Sequence, residues 1–301
     1  MPEPLKSPDA SGIADSGGVG IAWWSAGAGD RTLLIVPTWN FVDSRVTADL
    51  ANDLRDEFRV VWFDARGSGS SGRPAAGYTM FDHAHDVGAV VEAAGIDRMT
   101  MAAGSMGCNA MLLAAARLAD RVDGLVFLGL SVDPDAALPD AAEMEAFRGP
   151  PPPVPEGFGW FNAEIFRRDW AGFRRWFFDA CFNEPDSQAT RDSVSAIAAD
   201  ADVEVLIQQE LDMAATPHGQ AVLEAIASLT APALLIHGDA DLVAPVEAAR
   251  RVADLLPAGH LVLVEGGGHR PDVRHPELIN PLIGAFAANR PLPGVPTHQR
   301  S

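Results

Sequence analysis

The chain has 301 residues, of which 48% are hydrophobic and 21% charged, a composition typical of a soluble globular protein with one large α/β domain and an insertion. Its 41 acidic and 22 basic side chains give a formal charge of −19, which excludes the positive surface that nucleic acids and anionic membranes require. Two cysteines do not form a disulfide framework, and there is neither a secretory leader nor an apolar stretch of about 20 residues, so we expect a cytoplasmic protein.

Apolar runs alternate with helix-like stretches through the first 130 residues. Residues 1–18 are rich in Pro, Ser, Gly and Asp and are predicted to be a flexible tail. Apolar runs follow at residues 19–25, 32–36, 59–63, 99–103 and 124–129. Helix-like stretches separate them at residues 44–57, 82–94 and 105–119. This alternation predicts a mostly parallel, doubly wound sheet.

The alternation stops after Leu130 and resumes at residue 231. Residues 133–230 contain a run of four prolines and amphipathic stretches in which Phe166, Trp170, Phe173 and Phe177 share one helix face. The sequence therefore predicts a helical insertion between two parts of one core domain, residues 19–132 and 231–289. Residues 290–301, with three prolines, are predicted to be a second flexible tail.

The motif Ala103-Gly104-Ser105-Met106-Gly107 lies between an apolar run and a helix-like stretch. It puts Ser105 at a sharp strand-to-helix turn, where small flanking residues are needed because the backbone comes close to its neighbours. Such a turn presents a serine hydroxyl as a nucleophile.

Two further motifs follow later strands. Residues 233–237 run into Gly238-Asp239-Ala240-Asp241, and residues 261–264 lead through three glycines to His269. A serine nucleophile needs a histidine to take its proton and a carboxylate to hold that imidazole.

Together these motifs resemble the α/β-hydrolase family, in its serine-nucleophile, esterase- or lactonase-like branch with a helical cap, with Ala103 in place of the first glycine of the nucleophile elbow. The resemblance covers roughly residues 19–132 and 231–289 and implies an α/β-hydrolase fold with residues 133–230 as the cap. It assigns Ser105 as nucleophile and His269 as base, and the family's spacing selects Asp241 as the acid, with Asp239 as the alternative.

The resemblance also implies an oxyanion hole, made by backbone N–H groups that stabilise developing negative charge. Met106 would supply one donor. The other would come from Trp39, in the turn Pro37-Thr38-Trp39-Asn40, where the family commonly has His-Gly-x. This departure replaces a flexible glycine turn with a stiffer one.

The side chain of Asn40 is expected to line the acyl pocket, and Trp160, Phe161 and Trp170 to form the apolar roof of the cap. The same rings have a plainer interpretation as cap core. His237, at a strand end, is interpreted as a packed core histidine. No cofactor is expected and no metal site is predicted, because His83 and His85 are two apart on a helix and point in different directions.

The leading functional hypothesis is a serine hydrolase that cleaves a carboxylic ester, lactone or thioester of a small, largely apolar molecule through an acyl-enzyme. A serine nucleophile disfavours the dehalogenase and epoxide hydrolase branches, which use an aspartate at this position. Two alternatives stay open: lyase, cyclase or carbon–carbon cleavage by the same triad, and a small-molecule sensor with little turnover. The expected partner is a small-molecule substrate, with no nucleic acid or membrane.

Overall fold

The computed structural model describes residues 4–132 and 141–294. Part of the predicted tails and the start of the predicted cap lie outside these residues. Eight strands form one sheet: β1 Ala10–Ser16, β2 Val19–Ala26, β3 Thr32–Val36, β4 Arg59–Phe63, β5 Met99–Gly104, β6 Val122–Leu128, β7 Ala233–Gly238 and β8 Gly259–Val264.

The sheet order is β1-β2-β4-β3-β5-β6-β7-β8. β2 pairs antiparallel with β1 and β4, and the strands from β4 to β8 pair in parallel. The predicted α/β fold with a mostly parallel, doubly wound sheet is therefore confirmed. The carboxyl ends of β3, β5 and β7 lie at one edge, where a ligand-binding crevice is expected in such sheets.

Twelve helices complete the described chain. They are α1 Ala48–Leu54, α2 Met80–Ala93, α3 Gly107–Arg117, α4 Ala141–Arg148, α5 Ala163–Arg168, α6 Trp170–Cys181, α7 Gln188–Ala198, α8 Val203–Ala215, α9 Gly219–Ser228, α10 Val246–Leu255, α11 Pro271–Arg274 and α12 Pro276–Ala287. None of the helices in residues 4–132 and 141–294 has the length and apolarity needed to cross a membrane.

Two apolar layers cover the faces of the sheet. On one face, Leu34 and Met101 pack under α2, α3, α9 and α10. On the other face, Leu33 and Ile35 pack under α1 and α12. Because successive side chains of a strand point to opposite faces, the aliphatic run of β3 supplies both layers, as a strand buried on both sides requires.

The N-terminal segment differs from its prediction as a tail. Residues 10–16 form β1, which pairs with β2 through a two-residue turn at Gly17 and Gly18, with φ of +64° and +88°. Two consecutive positive φ values are what a tight hairpin turn needs, so the glycines that suggested mobility instead close a hairpin. At the other end, Arg290 donates to Glu57 at 2.8 Å and Leu292 packs on the core.

The helices between β6 and β7 divide into two groups. Helices α4 to α8 surround a third apolar cluster that is rich in aromatic rings, including Phe147, Phe166 and Phe173. Helix α9 packs on the core instead, with Val222 and Ile226 in the layer that covers α3. The end of the predicted insertion is therefore part of the core layer, although the chain reaches it from the cap.

Candidate active site

Ser105 lies at the turn between β5 and α3 in a left-handed conformation, with φ of 51°. A non-glycine residue at positive φ is strained and is held there by its surroundings. The surroundings are tight, because a Cβ added at Gly107 would lie 2.1 Å from the carbonyl oxygen of Pro37. The sharp turn predicted from the sequence is thus present, and it exposes the Ser105 hydroxyl at the carboxyl end of the sheet.

His269 is held by close backbone packing after β8. A Cβ added at Gly129 would lie 1.7 Å from the carbonyl oxygen of His269, and Gly129 has φ of +55°. A Cβ added at Gly238 would lie 2.1 Å from the carbonyl oxygen of Gly267. Glycines at these two strand ends let the His269 loop approach the sheet edge.

The structure brings the three predicted triad residues together. His269 Nε2 lies 2.8 Å from Ser105 Oγ, and His269 Nδ1 lies 2.8 Å from Asp241 Oδ2. An ionised carboxylate can only accept, so Nδ1 carries the proton and Nε2 of the neutral ring accepts from the Ser105 hydroxyl. This is the tautomer that a general base for Ser105 requires.

Asp241 is a buried carboxylate with several donors. Its Oδ1 accepts from the backbone N–H groups of Val243 at 2.7 Å and Ala244 at 2.9 Å. Burial alone would raise the pKa of Asp241, but hydrogen bonds from His237 and His269 outweigh burial and hold that pKa well below its usual range. The carboxylate therefore stays ionised beside the imidazole.

The structure distinguishes the two carboxylates that the sequence left open. Asp239 Oδ1 accepts from the backbone N–H of Gly266 at 2.7 Å on the exposed side of the turn. Among the described contacts, Asp241 and not Asp239 bonds to His269.

His237 is buried, as expected of a core histidine, but it also contacts the triad. Its Nε2 lies 3.0 Å from the carbonyl oxygen of Ala244 and 3.2 Å from Asp241 Oδ2. Because a carbonyl oxygen only accepts, Nε2 carries the proton and can donate to both oxygens. The sequence could not show this second contact, which depends on the turn that follows β7.

Trp39 and Met106, the predicted oxyanion donors, lie in the turn after β3 and at the start of α3. Both line one small cavity with Thr38 and Gly107. In the described part of the chain, neither backbone N–H donates to a protein acceptor, and their role as oxyanion donors stays a prediction. The Gly107 contact with Pro37 brings the turn after β3 against the start of α3.

A second cavity, of about 30 Å³, lies beside Ser105 and His269. Its walls are mainly apolar and come from the turn after β3, the cap and α11: Thr38, Trp39, Phe41, Val42, Val46, Phe177, Phe178, Cys181, Phe182, Val194, Arg270 and Val273. This shape favours a small apolar group next to the nucleophile.

The four predicted pocket residues do not line this cavity. Asn40 is turned away, since its amide donates to the carbonyl oxygen of Arg66 at 2.8 Å, and it lines a separate cleft of about 690 Å³ without Ser105. Trp170 stacks on Phe173 at 5.2 Å and donates to the carbonyl oxygen of Ala198. Trp160 and Phe161 pack in the same aromatic cluster. The prediction is corrected accordingly, because the three rings pack in the cap core and Asn40 bonds to the backbone of Arg66.

Several further groups around the site have no recognisable sequence motif. Arg270 is buried and pairs with Asp272 through bonds of 2.8 and 2.6 Å. Burial raises the pKa of Glu210, on α8, to about 8. In residues 4–132 and 141–294, no three His, Cys, Asp or Glu side chains are grouped to hold a metal ion.

Two family models match the chain: the alpha/beta hydrolase fold over residues 32–151 and the TAP-like protein over residues 212–294. Haloalkane dehalogenase 2 of Mycobacterium tuberculosis (strain ATCC 25618 / H37Rv) is 35% identical over 128 residues, which are 42% of this chain and 43% of that protein. The match thus spans less than half of that relative. RutD of Caulobacter sp. (strain K31), a protein named for carbamate hydrolysis, is 24% identical over 86% of this chain and 91% of its own length.

The fold also matches solved structures. A thermophilic esterase from Thermogutta terrifontis superposes with a TM-score of 0.77 at 22% identity, over 93% of this chain and 98% of the esterase. At this identity the match shows a common fold.

Proposed function

Because the chain belongs to the α/β-hydrolase fold family, we propose that it is a serine hydrolase that cleaves a carboxylic ester, lactone or thioester of a small, largely apolar molecule. The comparisons support hydrolase activity of the esterase, dehalogenase or carbamate hydrolase kind. The observation that favours the serine ester hydrolase is the hydrogen-bonded chain from Ser105 through His269 to Asp241, with 2.8 Å at each step.

The proposed reaction begins when Ser105 Oγ attacks the substrate carbonyl and His269 Nε2 takes its proton. Asp241 stabilises the imidazolium that forms. The carbonyl oxygen becomes an oxyanion, for which the backbone N–H groups of Trp39 and Met106 are the proposed donors. His269 then gives the proton to the leaving alcohol or thiol, and an acyl group stays on Ser105.

Deacylation repeats these steps with water. His269 takes a proton from the water that attacks the acyl carbonyl, and returns it to Ser105 Oγ as the acid product leaves. No step requires a cofactor.

The nucleophile argues against the chemistry named for one relative. In the branch that displaces halide from saturated carbon, an aspartate of the elbow forms the alkyl ester. This chain has Ser105 there, whose hydroxyl must lose a proton and so needs His269 at hydrogen-bond distance. Acyl transfer uses that arrangement directly.

The cavity at Ser105 supports the proposed substrate class. Phe177, Phe182 and Val273 give it apolar walls, so burial of an apolar acyl or alcohol part would be favourable. The net charge of −19 also disfavours strongly anionic substrates at long range.

The test is covalent labelling followed by kinetics. A serine-directed phosphonate should add one adduct, located at Ser105 by peptide mass spectrometry. A panel of p-nitrophenyl and naphthyl esters should be hydrolysed by the wild type and not by Ser105→Ala. An unlabelled Ser105 would sink the proposal. Ligand-dependent thermal stabilisation without ester turnover would support the sensor instead.

A further inference from the structure

The cap segment 181–184 begins at the last residue of α6 and contacts the loops that carry two of the triad residues. The backbone N–H of His269 donates to the carbonyl oxygen of Cys181 at 2.9 Å. The backbone N–H of Gly268 donates to Glu184 Oε1 at 2.7 Å, and Asn183 Nδ2 donates to the carbonyl oxygen of Ala240 at 2.9 Å. Three bonds from one short segment thus reach the neighbours of both His269 and Asp241.

The fit between the segment and the His269 loop is close. A Cβ added at Gly268 would lie 2.6 Å from both Asn183 Oδ1 and the carbonyl oxygen of Cys181. Residues 266–268 are all glycines and have no side chains of their own to anchor the loop. Because glycine backbone is intrinsically free, external contacts must fix its conformation.

Glu184 is the unusual member of the segment. Its side chain is 7% exposed, and its other neighbours are Ser187 Oγ at 3.5 Å and His275 Nε2 at 3.9 Å. Burying a carboxyl group is costly unless hydrogen bonds compensate, and an apolar side chain would hold the cap on the core at least as well. We therefore expect that the Glu184 carboxylate is present to accept a hydrogen bond from the loop that carries His269.

We propose that Glu184 is a positioning residue of the active site: its Oε1 fixes the Gly268 peptide, and through it the direction in which His269 presents its imidazole to Ser105 and Asp241. The expected effect of Glu184 on turnover rests on the proposed function. Glu184 does not touch the reacting atoms. The cap would then contribute to the geometry of the triad as well as to the walls of the pocket.

The kinetic test compares two substitutions in the full chain. Glu184→Leu keeps the approximate volume and removes the acceptor, so kcat should fall about 10- to 100-fold, because a misplaced base reacts slowly. KM should change less than about 3-fold, since the substrate walls are intact. Glu184→Gln keeps an amide oxygen for Gly268 N–H and should keep kcat within about 3-fold of the wild type.

A cap variant away from the triad controls for loss of stability. Asn162 caps α5 through bonds to the backbone N–H groups of Glu164 and Ile165 and contacts neither triad loop. Asn162→Ala should lower Tm and leave kcat unchanged. An unchanged kcat in Glu184→Leu, equal losses in the Leu and Gln variants, or an equal loss in Asn162→Ala would each overturn the proposal.

A readout without turnover separates this inference from the proposed function. The proton on His269 Nδ1 can be followed by NMR in the resting protein, and its resonance should shift or broaden in Glu184→Leu and persist in Glu184→Gln. An unchanged resonance in Glu184→Leu would overturn the positioning role even in an active esterase. A wild type that no phosphonate labels would sink the esterase proposal, while the resonance still tests Glu184.

Discussion

The sheet and the cap are built from different side chains and contribute differently to the site. The sheet layers are mainly aliphatic, with Leu33, Leu34 and Val60 fully buried between helices. The cap cluster is aromatic. The ring of Phe173, for example, lies 4.4 to 5.7 Å from the rings of Phe166, Trp170 and Phe177, measured between centroids. All three proposed catalytic side chains come from the sheet edge, whereas the cap supplies pocket walls and backbone contacts. We infer that the sheet supplies the catalytic groups, and that the cap supplies the selectivity and, through Glu184, part of the positioning of His269.

The largest effect is expected for the acid of the proposed triad, which belongs to the sheet side of this division. Asp241→Asn should lower kcat about 10,000-fold, because an amide does not hold His269 in the tautomer that accepts the Ser105 proton. Asp239→Asn is the matched control, since its Oδ1 can still accept from Gly266, and its kcat should stay within about 3-fold. Steady-state ester hydrolysis measures both. Equal losses would mean that the distinction between the two carboxylates is wrong.

The second test displaces His269 through the backbone. Gly129→Ala puts a Cβ 1.7 Å from the carbonyl oxygen of His269, so the loop must shift and kcat should fall about 100-fold. Gly95→Ala is matched to it, because Gly95 also has positive φ, +59°, but nothing lies within 4 Å of the added Cβ.

The control variant Gly95→Ala should lose about 1–2 kcal/mol of stability, because alanine is strained in a left-handed backbone conformation, and its kcat should be unchanged. Thermal unfolding and kcat on the same preparations separate the two effects. If Gly95→Ala lost activity as Gly129→Ala does, backbone strain alone would explain both, and contact with His269 would be irrelevant.

How much of the core could be predicted depends on burial. The runs at residues 32–36 and 59–63 coincide with β3 and β4 because strands buried on both faces are continuous apolar segments. The sequence does not predict β1, because its residues 10–16 alternate small, polar and apolar side chains at an edge of the sheet. The predicted helix at 44–57 is shorter in the structure, with a 3-10 turn Ser44–Thr47 ahead of α1.

The site was predictable where a residue type is tied to a turn. Ser105, Asp241 and His269 each follow a strand in a glycine-containing turn, and such turns have a local sequence signature. Glu184 and Phe177 have none, because their importance arises from contacts with residues more than 70 positions away. Periodicity identified the aromatic face of α6 but could not show which of its rings face Ser105 rather than the cap core.

The third test concerns the cap side. Phe177→Ala enlarges the cavity beside Ser105 and makes room for larger acyl groups, so KM for esters with bulky apolar acyl groups should fall about 10-fold, while acetate esters change little. Trp170→Ala removes a ring of the same helix that does not line this cavity and should lower Tm without shifting the acyl preference. A profile of kcat/KM against acyl length checks both. A shift in Trp170→Ala alone would place the acyl pocket elsewhere.

The smallest effect on turnover is expected at the boundary between the two regions. Glu210 lies on α8, which packs Leu206 in the cap cluster and Met213 in the core. The pKa of Glu210 rises from its ordinary 4.5 to about 8 on burial. Between these values the folded state keeps a proton that the unfolded state releases, so stability should fall as pH rises from 4.5 to 8.

Glu210→Gln should remove that decline. At about 1.4 kcal/mol per pH unit, the wild type loses at most about 5 kcal/mol of its free energy of unfolding by pH 8, and Glu210→Gln should not show this loss. Urea unfolding at pH 5 and pH 8 measures the difference between wild type and variant. A wild type equally stable at both pH values would contradict a protonated Glu210.

Both thiols of the chain are buried, and burial raises the pKa of Cys108 to about 12 and that of Cys181 well above its usual range. Neither should react with maleimide dyes in the native state. A cysteine introduced on an exposed helix of the cap, with another on the sheet side, would therefore take a pair of fluorophores without removal of either natural cysteine. The distance between cap and sheet could then be followed by energy transfer while an ester is turned over.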